Sequence, residues 1–309
     1  MSANMSTNMS ASKSLRQISP EVSEQLNAAT IETATTAGLM PSLFVSHGSP
    51  MLALDDSDNA AFLAELGQVL PRPKAILVFS AHTDIGGKVR IASGDGPRTV
   101  HDFYGFPDAL YRVNYPAPGA PKLAAEVAEI LQTAGFEAEL DEQLGWDHGL
   151  WTPLCRLYPE ADIPLVLVSI DSRQGVSYHY RLGQAVKSLR TDGVLVLGSG
   201  GISHNLGELF RRPGDPQKVE KMQSFVNWIA DKLSQGDLPA LLDVERQAPN
   251  ARFNHPSIEH LMPFYVALGA GHTDAADIST GKKATKPPLR LHQSIELQIL
   301  ALDTYAWLD

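Results

Sequence analysis

The sequence predicts an α/β protein built around a mostly parallel central sheet in a single domain, and three observations lead there. From Pro41 onward, short β-branched or aliphatic runs alternate with longer amphipathic segments, the rhythm of a chain that passes repeatedly from strand to helix. Three of the runs, AILVFS, LVLVSI and VLVLGS, are nearly uninterrupted apolar stretches, as expected of central strands covered on both faces. After residue 40 there is no internal repeat and no linker-like stretch, so one domain with long functional loops is the simplest organisation.

Taken in order, residues 1–40 are rich in Ser, Thr, Ala, Asn and Met, with too few large apolar side chains to offset the entropy of ordering. They read as a flexible N-terminal extension, within which Ser19-Pro20-Glu21 resembles a helix start. The domain proper spans residues 41–309. Its predicted strands are Leu43–Ser46, Ala75–Ser80, Val89–Ala92, Leu165–Ile170 and Val194–Gly198. The predicted helices are Ala60–Leu70, Pro121–Ala134, His179–Leu189, Val219–Ser234 and Ser257–Leu268. Pro121 in the first turn and Gly135 just past the end follow the usual asymmetry of helix termini.

Composition narrows the function classes. A chain of 309 residues with 43% hydrophobic content buries a substantial core without disulfides or structural metal. The net charge of -10 and a pI near 5.4 make nucleic acid and anionic membrane surfaces poor partners. No apolar run approaches the roughly 20 residues of a spanning helix, and no signal-type apolar region opens the chain, so the cytoplasm is the expected compartment. Cys155 is the single cysteine, which rules out thiolate clusters and leaves nitrogen and oxygen as metal donors. Oligomeric assembly is left open.

The chemistry lies in the ten histidines, three of which fall just beyond predicted strands, where α/β sheets present their ligand sites. His47 follows LFVS, His82 ends AILVFSAH, and His204 follows VLVLGSGGIS. A lone histidine is usually an ordinary core or surface residue; three at strand ends point instead to a histidine-held metal. Small residues after His47 let the backbone approach a ligand closely, and the rigid strand before His82 suits a fixed coordination geometry. In GWDHGLWTPL, the rings of Trp146 and Trp151 flank His148 as candidate walls for a planar substrate, with plain core as the alternative. In GSGGISHNL, the glycines permit a tight turn before His204, the alternative being a helix entry capped by Ser203 or Asn205. In NHPSIEHLMPF, Glu259 and His260 are adjacent and do not share a helix face, so at most one of them is expected to reach a metal while the other points away. Pro256 makes His255 a pre-helix residue, although it stands four residues before Glu259.

In this order, SHGSP, PRPKAILVFSAH, HDFYGFPDALY, YPAPG, WDHGLWTPL, YPEADIPLVLVSID, GSGGISHNL and IEHLMPF resemble the class III (LigB-type) extradiol ring-cleavage dioxygenases. The likeness is strongest to the branch named for 4,5-DOPA extradiol dioxygenase, and it runs from about Pro41 to near Thr304. It implies a single-domain α/β/α sandwich and a mononuclear non-haem metal, Fe(II) for activity, with Zn(II) as an alternative bound ion. By motif, the implied metal ligands are His47, His82 and His260, with Glu259 held in reserve because many related enzymes use a carboxylate. His204 is implied as acid/base, or as a fourth ligand in metal-replaced forms, and His148 as a second catalytic, substrate-side histidine. His101, Phe103, Trp146 and Trp151 are the expected pocket walls, and a DOPA-like catechol and O2 the expected reactants. Where members of this branch commonly continue SAH with an aromatic residue, this chain has Thr83-Asp84. Two other readings of the same histidines are a zinc hydrolase and a non-catalytic binding protein.

Overall fold

Side chains along four neighbouring strands alternate between two apolar layers, so the sheet they form is covered on both faces. The computed structural model describes residues 38–208, 211, 215–273 and 286–308. The expectation of a flexible extension therefore falls almost wholly outside the described residues. The strands are β1 (Ser42–Ser46), β2 (Ala75–Asp84), β3 (Val89–Ala92), β4 (Ala138–Asp141), β5 (Leu165–Ile170), β6 (Val194–Gly200), β7 (Leu289–His292), β8 (Ile295–Glu296), β9 (Leu300–Ala301) and β10 (Thr304–Trp307). Eight of them make one sheet in the order β4-β3-β5-β2-β6-β1-β10-β7, and β8 pairs with β9. The central neighbours β5, β2, β6 and β1 are parallel, while β10 runs antiparallel to β1 and β7.

Phe44, Leu77, Phe79, Val166, Val168, Val194 and Val196 enter one layer of the core. The intervening Leu43, Val45, Ile76, Val78, Leu165, Leu167, Leu195 and Leu197 enter the other. Among the described residues six helices have ten or more residues: α1 (Asp58–Val69), α2 (Pro121–Thr133), α3 (His148–Leu157), α4 (Gly175–Val186), α5 (Pro216–Gln235) and α6 (Met262–Gly271). Helices α1 and α3 cover one face, and α2, α4, α5 and α6 the other. This is the α/β/α sandwich that the resemblance implies. No described helix is long and apolar enough to cross a membrane.

Two segments depart from the sequence reading in ways that matter for the site. The helix predicted over Ser257–Leu268 forms later: a 3-10 turn over Glu259–Leu261 leads into α6. Pro256 disfavours helical backbone at His255, and Pro263 sits in the first turn of α6, where a missing N–H is harmless. Helix α3 was not predicted at all, because Pro153 lies inside it and Gly149 in its first turn, both poor helix residues, although Leu150, Leu154 and Leu157 give it a buried aliphatic stripe. The short polar strand β4 and the C-terminal strands β7 to β10 also lack the long apolar runs that mark the central strands.

Candidate metal centre

The carboxyl ends of β1, β2 and β6 lie side by side, with Ser80 of β2 and Val45 of β1 both in register with Ser199 of β6. His47 leaves the end of β1, His82 projects from β2, and His204 follows β6 by four residues. A second set comes from the helical layers: His148 opens α3, and His260 lies in the turn before α6. The turn before α6 reaches the strand ends because β6 carries glycine there. A Cβ on Gly200 would collide with the carbonyl oxygen of His260, which instead accepts a 2.9 Å hydrogen bond from the Gly201 N–H.

Five imidazoles converge. His47 and His82 approach Nε2 to Nε2 at 3.1 Å. Donor atoms of His47, His82 and His148 all lie within 4.8 Å of one another, as do those of His204, Glu259 and His260. The two groups adjoin, with ring centroids of His82 and His260 4.9 Å apart and those of His47 and His260 5.5 Å apart. The His204 ring stacks on His260 at 3.4 Å and 8°.

The partners of these rings decide which nitrogen faces the centre. Pro153 has no N–H for the carbonyl four residues back, Gly149, which accepts the Ser199 hydroxyl at 2.5 Å instead. With its only proton used there, Ser199 Oγ can only accept from His47 Nδ1 at 3.0 Å. His47 therefore carries its proton on Nδ1 and turns the Nε2 lone pair inward. On the opposite side, Glu259 Oε1 lies 3.0 Å from His260 Nδ1, and His260 Nε2 is buried with no hydrogen-bond partner. An orphaned buried nitrogen costs roughly 1–3 kcal/mol unless something binds it. The donor set thus fits a divalent cation of the kind that neutral imidazoles bind.

Asp147 ties the second strand to the third helix. Its Oδ1 caps α3 through the Leu150 N–H at 2.9 Å and accepts the Ser80 hydroxyl at 2.7 Å, while Oδ2 accepts Thr83 Oγ1 at 2.5 Å. Gly149 sits so close that a Cβ there would press on Ser80 Oγ and His82 Cδ2. This packing brings the His82 and His148 ring centroids to 3.7 Å. It also accounts for Thr83, whose hydroxyl is directed to Asp147 rather than to the histidines.

Burial, then the neighbouring imidazoles, drives His47 and His260 well below the usual histidine range. Burial lowers His82 to about 3, and burial likewise lowers His204. All four rings are therefore neutral near pH 7, with lone pairs available. Burial raises the Asp147 carboxyl, against the opposing hydrogen bonds of Thr83 and Ser80. For Asp102, burial would raise the carboxyl, but the ring and main-chain N–H of His148 outweigh it and lower it.

Several residues singled out by sequence serve structure. His101 bonds the Val113 carbonyl at 3.0 Å and packs among Phe103, Tyr111 and Trp151. Trp146 and Trp151 have no exposed surface and donate their indole N–H groups to the carbonyls of Ala117 and Val100, so they form the core behind the site rather than open walls. Phe103 meets the His148 ring edge to face at 5.5 Å. His255 bonds the Ile202 carbonyl at 2.9 Å, bracing the turn before His204, and does not pair with Glu259. Ser203 Oγ bonds the main chain at Ile299 and Ala301, and Asn205, which directly precedes a 3-10 turn over Leu206–Glu208, bonds the Phe253 carbonyl through its side-chain amide. Sequence reasoning passed over Ser199 and Asp102. The signal for Asp102 was its place in HDF, between two residues that drew attention for their rings.

Comparison with known proteins gives a family. Residues 41–288 match the model for the catalytic LigB subunit of aromatic ring-opening dioxygenases. A Beta vulgaris protein called 4,5-DOPA dioxygenase extradiol is 38% identical over 76% of this chain and 88% of its own. The Escherichia coli (strain K12) protein of the same name is 39% identical over 75% of this chain and 85% of its own. The crystal structure of an uncharacterized protein from Escherichia coli K12 superposes with a TM-score of 0.68 at 30% identity, covering 86% of this chain and 99% of that one.

Proposed function

The chain belongs to the LigB family of aromatic ring-opening dioxygenases and is an extradiol enzyme, and from that premise we propose that it opens a catechol-type, DOPA-like ring with O2 at one Fe(II) ion held by His47, His82 and His260. The observation that carries the reading is the inward set of nitrogens: the Nε2 pair of His47 and His82, and the orphaned Nε2 of His260. Ser199 and Glu259 hold the outer nitrogens of two of these rings. Hydrogen bonding of Nδ1 by an outer partner is the usual way in which a protein aims a histidine ligand. Bound Fe(II) supplies the open-shell chemistry that ground-state O2 requires, which zinc lacks.

The remaining residues act on substrate protons and orientation. An imidazole nitrogen of His204, neutral because of burial, accepts the catechol hydroxyl proton and returns it as the ring opens. Stacking on His260 keeps that ring beside the proposed ligands. His148 faces the substrate from the start of α3, and Phe103 offers an aromatic edge to a planar ring. Glu259 serves as the orienting partner of His260 rather than as a ligand, since its carboxylate already accepts the Nδ1 proton.

The test pairs two variants. His204→Phe retains bound iron and substrate affinity while turnover falls by about 10²–10⁴-fold, the usual contribution of general acid–base catalysis. Undiminished ring opening by that variant removes His204 from the mechanism. Glu259→Gln, whose amide oxygen still accepts from His260, holds metal to within about tenfold of the parent; complete metal loss would transfer the ligand role to Glu259.

A further inference from the structure

We propose that Asp102 is the positioning residue for His82 and His148 together, its two carboxylate oxygens receiving the Nδ1 protons of the two rings so that both Nε2 atoms face the centre. The inference rests on the ligand reading above. A neutral imidazole has a single ring proton, which in water sits mostly on Nε2. A histidine that uses Nε2 to bind a metal or substrate needs an acceptor beside Nδ1. Ser199 is that acceptor for His47 and Glu259 for His260. Asp102 is the acidic side chain that reaches the other two.

Its placement is built rather than incidental. Asp102 Oδ1 accepts the main-chain N–H of His148 at 3.0 Å, at the first residue of α3, where the helix dipole favours a carboxylate. The same oxygen lies 3.0 Å from His148 Nδ1, off the line of an ideal hydrogen bond. Oδ2 lies 3.8 Å from His82 Nδ1, within ion-pair reach though longer than a hydrogen bond, and on the proposal it closes on that N–H when the metal is bound. One carboxylate serves two rings because their centroids are 3.7 Å apart. Asp102 thereby couples a proposed metal ligand to a proposed substrate-side residue, and its loss should disturb metal affinity and KM together.

Asp102→Asn tests this, since the amide keeps the size and one acceptor oxygen for the His148 main chain, while its NH2 group opposes the second imidazole N–H. Zn(II), being diamagnetic, is the probe: affinity is measured by competition with a chromophoric chelator, and the Nδ1–H protons of the loaded full-length chain by NMR. The expected result is a Zn(II) affinity lower by about 10–100-fold, with the ring N–H signals of His82 and His148 shifted or lost and the unfolding midpoint of the metal-free chain little changed. Asp102→Glu should recover part of the affinity. The proposal is overturned if Asp102→Asn binds Zn(II) within about twofold of the parent, or if affinity falls while both ring N–H signals stay in place. Failure of the parent chain to bind Zn(II) through His47 and His82 would instead refute the ligand reading, and so separates the two failures.

Discussion

Replacing Ser199 with alanine removes one oxygen and with it the contact that ties the fold to the proposed metal centre. Ser199 is fully buried, donates to the Gly149 carbonyl at 2.5 Å and accepts from His47 Nδ1 at 3.0 Å. The Gly149 carbonyl cannot fall back on its helical partner, because residue 153 is proline. Both the carbonyl and the His47 N–H would be left buried and unpaired, at about 1–3 kcal/mol each, so the unfolding free energy should drop by about 2–6 kcal/mol. That is a large share of the roughly 5–15 kcal/mol that holds a typical domain together. The freed imidazole can also turn or exchange tautomer, and metal affinity should fall about 10–100-fold. Urea unfolding of the metal-free chain reads the first effect as a lower midpoint at unchanged slope, and anaerobic titration with Co(II) reads the second. A stability loss below about 0.5 kcal/mol would show that neither bond contributes net stability, and unchanged Co(II) affinity would show that Ser199 does not set the orientation of His47.

Gly200→Ala should force β6 and the His260 turn apart by on the order of 1 Å to restore van der Waals contact, destabilising by about 1–3 kcal/mol and lowering turnover about 100-fold; normal turnover in the steady-state assay would mean that His260 need not sit where it does. Asp147→Ala removes the α3 cap and strands the Ser80 and Thr83 hydroxyls, so thermal unfolding should show a loss of about 2–4 kcal/mol, with metal binding weakened through His82; an unchanged melting temperature would contradict the account of how β2 and α3 are joined. Asp303 is fully buried, and burial raises its carboxyl to about 6 despite the Arg290 contact at 2.8 Å. The group therefore adds stability that is complete below its unfolded value and is lost as pH rises through about 6. Asp303→Asn should flatten the fall in unfolding free energy between about pH 4 and pH 6, a change on the order of 3 kcal/mol; an equally steep profile in the variant would assign the slope to another group.

The strand ends were legible because an apolar run covered on both faces leaves a plain trace in sequence, and His47 and His82 stand directly on such runs. His204 stood out with them as a third strand-end histidine, but its acid/base role, and the choice of His260 over Glu259, came from the resemblance, since each sits in a turn whose direction depends on what packs against it. Adjacency made Glu259 and His260 look like competitors for one position. In the structure the carboxylate folds back onto its neighbour's Nδ1, so they act as a pair. For Trp146 and Trp151 the sequence left two readings open, pocket wall or plain core, and both indoles are fully buried in the structure. Ser199 and Asp102 were illegible for a different reason. Ser199 is 152 residues from His47, and Asp102 is 46 from His148, so their roles exist only once the chain has folded.

The most direct test of the account is anaerobic loading of the full-length chain with Fe(II), determination of bound metal, and measurement of oxygen uptake with DOPA and a panel of other catechols. One iron per chain, with one O2 consumed for each ring opened and a semialdehyde product, is the predicted result. Turnover supported by Zn(II) alone, without oxygen consumption, would contradict it and make the same histidines the centre of a hydrolase.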